Sequence, residues 1–344
     1  VRGPGSALSG ADAFLGVINV ITRTGEDLAG RHLTTQAGTF GPNAQAQASL
    51  ALGEPLPWGN AELALGGLMG LTERSGLGVA ASSPAISTLD GQTTANDRSQ
   101  PRTLFGRLGR LGTPLGELSL DGGYQRVDAS GEFQDWRPLT HQSRLGLENR
   151  FGRATLRGGV GDMLDTTLSM GYAKGNPTAE DRIGIGREDY LIRRDMASEG
   201  WDVAAEAMVS LNARDSLTVG ADWSQTDHQL PTYYDVFTSA SPRAGDEIQD
   251  GPAGIFQRFT NLGLYSQGIL HLGEALGVTM GLRSDSHSIY GNVLNSRLGL
   301  VSPLTEGVTG KILYGTSFKA PSPQQLFGRP LVFGDIIGNE DLRP

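Results

Sequence analysis

The sequence predicts an all-β protein, an antiparallel β-barrel that crosses a membrane. Three observations predict it. Side-chain polarity alternates with period two, the alternating segments reach about ten residues or more, and short connections alternate with long ones.

The alternation is plain in three places. Asn43, Gln45, Gln47 and Ser49 alternate with Ala44, Ala46, Ala48 and Leu50. Leu217, Val219, Ala221 and Trp223 alternate with Thr218, Gly220, Asp222 and Ser224. Leu276, Val278, Met280 and Leu282 alternate with Gly277, Thr279, Gly281 and Arg283. Successive side chains of a strand point to opposite faces, so each segment has one apolar face and one small or polar face. In a soluble sandwich the apolar face packs on a second sheet. In a membrane barrel it meets lipid, and the polar face lines a wet interior. Segment length favours the membrane. A tilted strand needs about nine to eleven residues to cross the hydrocarbon layer, whereas soluble strands usually have about five or six. Leu217, Val219, Ala221, Trp223, Leu276, Val278, Met280 and Leu282 are therefore expected to face lipid, with Thr218, Asp222, Thr279 and Arg283 inside.

Strands are predicted near 31–39, 43–53, 60–72, 102–112, 116–127, 141–150 and 153–173. They continue near 201–211, 215–227, 256–271, 275–288, 292–302 and 308–319. The connectors Gly53 to Gly59, Gly112 to Gly116, Asn212 to Asp215, His271 to Ala275 and Pro303 to Gly307 are short. The segments 73–101, 128–140, 174–200, 228–255 and 320–344 are long, and rich in the Ser, Thr, Asp, Gly and Pro of exposed loops. The alternation breaks near Gly41 and Gly291, and strand parity requires 153–173 to be a single strand. Short periplasmic turns and long outside loops are the segregation an outer-membrane barrel shows.

Composition excludes much else. Gly is abundant, at 50 of 344 residues, and hydrophobic residues make up only 38%, low for a soluble domain of this size. The glycines keep no collagen-like period, and no longer repeat points to a propeller or solenoid. A net charge of −9 without a basic stripe argues against nucleic acid. The absence of cysteine removes disulfides, thiolate metal sites and thiol catalysis. No run of about 18 apolar residues provides a transmembrane helix.

The first 22 residues carry a motif. Arg2-Gly3-Pro4 reads as a turn, Gly5 to Gly10 as a small-residue stretch, and Val17 to Thr22 as a buried strand. A phosphate loop is excluded, because Ala11 and Asp12 stand where Lys and Ser/Thr are required. With Arg2, Gly3, Pro4, Ser6, Gly10, Ala13, Gly16, Val17, Ile18, Asn19 and Thr22 in register, the segment resembles the end of the plug domain of TonB-dependent outer-membrane receptors. Ser9 departs from the family's usual aromatic at that position. Leu282-Arg283-Ser284-Asp285, Arg297-Leu298-Gly299-Leu300 and Tyr314 to Ser322 resemble barrel signatures of the same family. Gly338 to Pro344 resembles its Gly-Asn-Pro-x-Leu-x-Pro element, with Glu340 in place of the first proline.

The resemblance implies a gated importer rather than an enzyme. It implies a barrel of roughly 22 strands around a plug, in contact with outer-membrane lipid. It implies a small-molecule ligand such as a ferric siderophore, haem or cobalamin, no resident cofactor, and energy from the TonB complex through an N-terminal plug segment. On this reading residues 1–28 are the C-terminal end of the plug, and 29–344 are the N-terminal portion of the barrel, about thirteen strands. Val1 starts mid-motif without an export leader, and Asp341 to Pro344 closes no strand. A longer protein is therefore expected to hold the TonB-contacting segment and the closing strands, and the sheet is expected to be open. The rivals are a passive porin, which has no plug, and a soluble all-β binding protein.

Candidate site residues follow. Arg2, Gly3, Pro4, Gly10, Gly16 and Asn19 form the plug motif, with Arg2 either tied to Glu62 or Asp121 of the wall or solvated in a turn. Phe133, Trp136, Arg137, Tyr233, Tyr234 and Phe237 stand in long loops. There they could stack on a planar or catecholate ligand, or pack the loops together. His32, His141, His228, His271 and His287 show no metal-ligand spacing, and Asp246, Glu247 and Asp250 lack the order of a calcium loop.

Overall fold

The computed structural model of the chain describes residues 22–78, 80–83, 87, 91–131, 141–185, 187–330 and 337–343. Sixteen strands lie among them. The first five are β1 (Gly30–Phe40), β2 (Asn43–Pro55), β3 (Glu62–Glu73), β4 (Arg98–Thr113) and β5 (Gly116–Ser130). Next come β6 (Arg144–Val160), β7 (Leu164–Pro177), β8 (Tyr190–Asp195), β9 (Ser198–Ser210) and β10 (Ser216–Gln229). The last are β11 (Thr232–Phe237), β12 (Glu247–Asp250), β13 (Phe256–Leu272), β14 (Leu276–His287), β15 (Gly291–Thr305) and β16 (Val308–Gly315).

Thirteen of these form one antiparallel sheet in chain order, from β1 to β16, leaving out β8, β11 and β12. Each strand pairs with the next, and β1 and β16 stand at the two ends of the described sheet without pairing to each other. The expected open meander is what forms.

A meander sends alternate connections to opposite ends. At one end lie 56–61, 114–115, 161–163, 211–215, 273–275 and 306–307, all short. At the other lie 74–97, 131–143, 178–197 and 230–255, with short turns at 41–42 and 288–290. The predicted turn between 150 and 153 is a correction. The strand β6 runs on through Phe151 and Gly152 to Val160, and the chain reverses at Gly161-Asp162-Met163. The reason is the neighbouring strand: the ladder of β5 with β6 continues down to Glu117 opposite Arg157, so β6 must be long enough to cover it. Gly161, at φ 57°, supplies the left-handed turn that a Phe-Gly pair held in a ladder does not. The long loops are also more ordered than polar loop composition implies, since β8, β11 and β12 pair into a second, three-stranded sheet.

The faces sort as predicted. Leu217, Val219, Trp223, Met280 and Leu282 are exposed, as are Leu104, Leu120, Leu168 and Leu264 on the same face of the sheet. Glu62, Arg283, Asp285 and Asn295 on the opposite face are buried. Apolar outside and polar inside inverts a soluble protein and suits a wall standing in lipid. The full ladders matter for the same reason, since unpaired backbone groups are costly in hydrocarbon.

Just before β1, helix α1 (Gly25–Leu28) lies on the inner face of β2 and β3. Thr24 caps it, accepting from Asp27 N–H while the Asp27 carboxylate accepts from Thr24 N–H. Gly53 makes room beneath it, because a Cβ there would overlap Leu28. Glu26 N–H donates to Glu62 (3.1 Å), and Arg110 pairs with Glu26 (2.8 Å).

Candidate functional site

The inner wall is built from same-face residues of neighbouring strands. In its lower rows arginines face carboxylates. Arg107 pairs with Asp121 (3.4 Å) and Arg153 with Asp202 (2.8 Å). Arg283, 2% exposed, forks onto Asp222 (2.7 and 2.8 Å) and also binds Asp285 (2.7 Å), which is 0% exposed. Asn261 donates to Asp285 as well (3.0 Å). Glycines opposite the large side chains create the space: a Cβ at Gly263 would overlap the Arg283 guanidinium, and one at Gly220 the Tyr265 ring. Tyr265 O–H in turn donates to Glu206 (2.8 Å).

Towards the long-loop end the wall changes character. Register places Gln125 opposite Asn149, Asn149 opposite Gly175, Gly175 opposite Ser198, and Ser198 opposite His228. This uncharged polar row floors a cavity of about 600 Å³. Its rim includes Arg194, which forks onto the buried Asp181 (3.0 and 3.0 Å), and Glu148, which accepts from Asn176 (3.1 Å). A second helix, α2 (Pro323–Phe327), closes one side. Ser322 caps it by accepting from Gln325 N–H (3.2 Å), and Gln324 reaches the cavity. Aromatic contacts hold this lid down. Phe327 meets Phe259 edge-on at 6.1 Å, Phe259 meets His228 at 5.3 Å, and His287 stacks on Tyr290 at 3.9 Å.

The second sheet stands in the long loops. Tyr233 is buried and its O–H donates to the Arg329 carbonyl (3.4 Å). Arg193 covers the Tyr234 ring at 4.0 Å and binds Glu247 (2.9 Å). Phe237 packs against Tyr190 (5.9 Å) and under Arg243 (4.6 Å). The three aromatics therefore sit in one layer of ordered loop. Burial pushes the Asp235 carboxyl above the ordinary range, and nearby Asp250 pushes the same way. The Arg187 guanidinium, hydrogen-bonded to Asp189, holds that carboxyl low.

Phe133, Trp136 and Arg137 lie outside the described residues, as do Arg2, Gly3, Pro4, Gly10, Gly16 and Asn19. Of the two wall carboxylates named for Arg2, Glu62 accepts from α1 and Asp121 pairs with Arg107. His271 on β13 binds Asp215 (3.0 Å) at the short-turn end, the opposite end of the sheet from His228 on β10. No group of three or more metal-ligating side chains occurs among the described residues. Glu247 and Asp246 are paired with Arg193 and Arg243. The polar row of Gln125, Asn149, Ser198 and His228 was not singled out in the sequence. Period two gives each residue its face, but only inter-strand register puts the four side by side.

The family described as TonB dependent receptor-like, beta-barrel matches residues 76–344. The vitamin B12 transporter BtuB of Vibrio vulnificus is 26% identical over 353 aligned residues, covering 100% of this chain and 49% of that protein. Among solved structures, the siderophore receptor PirA from Acinetobacter baumannii superposes with a TM-score of 0.70 at 19% identity, over 100% of this chain and 52% of PirA. A mutant of the ferric enterobactin receptor PfeA from Pseudomonas aeruginosa superposes with a TM-score of 0.69 at 20% identity, over 95% of this chain and 49% of PfeA. The chain spans about half the length of these relatives, and the structural likeness is one of fold. The family match runs from the first long loop to the segment beyond β16, most of the sequence, and the chain belongs to the TonB-dependent receptor β-barrel family.

Proposed function

We propose that this chain is part of a bacterial outer-membrane receptor that imports a scarce small molecule under the power of TonB. The observation that carries the reading is the pairing of a lipid-type exterior with a cavity on the inner face at the long-loop end, in a chain of this family. Residues 29–344 form part of the barrel wall, and residues 1–28 are the end of a plug that enters the wall through α1. Arg2, Gly3, Pro4, Gly10, Gly16 and Asn19 shape that end. The ligand belongs to the class of ferric siderophores, haem or cobalamin, and no catalysis is involved. Family membership and the plug-like motif favour this over a passive porin or a soluble binding protein. Phe133, Trp136, Arg137, Tyr233, Tyr234 and Phe237 are proposed to shape the entry above the cavity.

The test is uptake. The whole receptor carrying this chain is expressed in a host stripped of its own siderophore and cobalamin receptors. Accumulation of radiolabelled ligand is expected with an active TonB complex and not without it. Equal uptake in the two hosts, or retention of the protein in the soluble fraction, removes the reading.

A further inference from the structure

The rows of the inner wall differ in charge. Below the cavity Asp121, Asp202, Asp222 and Asp285 each have an arginine. The row at the cavity floor holds Gln125, Asn149, Gly175, Ser198 and His228, with no Lys, Arg, Asp or Glu. The row above, Val127, Leu147 and Pro177, is apolar. The row below begins with Gly123, Phe151 and Ala173. Among the described residues lining the cavity, two side chains bear full charge. Arg194 is already satisfied by both oxygens of Asp181, and the Glu148 carboxylate is turned to the other face of the wall, where it accepts from Tyr124 O–H and Asn176.

We propose that this cavity receives a near-neutral ligand that presents amide or hydroxyl groups along an apolar body, and that it disfavours polyanionic chelates such as ferric catecholates. The proposal rests on the receptor reading above and names the ligand class of that same site. A polyanion entering the cavity loses hydration and needs cations in return, and the lining offers no uncommitted one among the described residues. The amides of Gln125 and Asn149 each donate and accept, so they match a ligand fringed with amides or hydroxyls without any change of charge. The flanking apolar rows bury the ligand's body.

The whole receptor, purified in detergent, is titrated with three probes: cyanocobalamin, the neutral hydroxamate chelate ferrichrome, and ferric enterobactin. At least one of the first two is expected to bind roughly ten-fold tighter than ferric enterobactin. Asn149→Leu and Gln125→Leu should each weaken that neutral probe by roughly ten-fold, the scale of one buried hydrogen-bonding group left unmatched. Asn149→Lys should narrow the gap to ferric enterobactin. Heat-modifiable migration on gels verifies that each variant is folded, and the paired substitutions guard against loss of one. Tighter binding of ferric enterobactin, binding of no probe, or neutral binding unchanged in both folded leucine variants overturns the proposal. TonB-dependent uptake of the catecholate would overturn it while leaving the import reading intact. Loss of TonB dependence strikes the import reading instead, and the detergent titration still decides the ligand class.

Discussion

Arg283 on β14 grips Asp222 on β10 across the intervening strand β13, through two bonds of 2.7 and 2.8 Å, and turns its Nε to Asp285 on its own strand (2.9 Å). A fork of this kind is stronger and more directional than a single ion pair. It spans three strands on the inner wall, and Asn261 of the middle strand adds a second side-chain link by donating to Asp285 (3.0 Å).

Removing the arginine leaves two inward carboxylates near one another, one of them fully buried. Arg283→Met is expected to lower wall stability by about 3–5 kcal/mol, the cost of breaking a buried pair from one side. Arg283→Lys should recover part of it, keeping charge without the fork. Urea unfolding of the receptor in detergent reads the difference. Parent-like stability of the methionine variant would show that the cluster contributes nothing.

Two glycines on the paired strands β10 and β13 should respond differently. Gly220→Ala drives a methyl into the Tyr265 ring and pushes Tyr265 O–H from Glu206, whereas Gly268→Ala points into open space. The first is expected to cost about 1–3 kcal/mol as overpacking, and the second to stay within about 0.5 kcal/mol. Equal costs in the same unfolding assay would mean that the register of β10 with β13 is misassigned.

Adjacent positions on β14 test the faces. Met280 is exposed on the lipid side, and Thr279 points to the opposite face. Met280→Arg should cost about 2–4 kcal/mol if it lies near the bilayer midplane, and Thr279→Arg much less. Unfolding from lipid bilayers gives both values. A reversed order would place the apolar face inside.

The loop sheet carries a pH signature. Burial, then Asp250, raises the Asp235 carboxyl in the folded loop above the ordinary 3.8. A raised acid is a burden where it is ionised, so the cost is present above the folded pKa. It is relieved as pH falls through that pKa towards 3.8. Asp189 works oppositely, its contribution fading only below 3.8. Amide protection of β11, corrected for intrinsic exchange, should therefore rise as pH drops from neutrality to about 4.5, still above the ordinary Asp range. Asp235→Asn should flatten the dependence. A parent loop that loosens over that interval contradicts the assignment.

Much of this wall was written in local pattern. Leu217 to Ser224 and Leu276 to Arg283 displayed their two faces in the sequence, because the backbone of a strand turns each side chain to the side opposite its neighbour. The division into short and long connections gave the meander, since an antiparallel sheet has no other way to reuse its two ends. Tertiary structure decided what depends on a neighbour. The reversal at Gly161 rather than near Gly152 follows from the length of β5, which β6 must match to pair its backbone. The loop sheet of β8, β11 and β12 forms because segments more than thirty residues apart find one another's hydrogen bonds. The placing of Arg283 against Asp222, and of Gln125, Asn149, Ser198 and His228 in one row, is a matter of register. A shift of one residue in any strand would leave its sequence pattern unchanged and turn every one of its side chains to the other face.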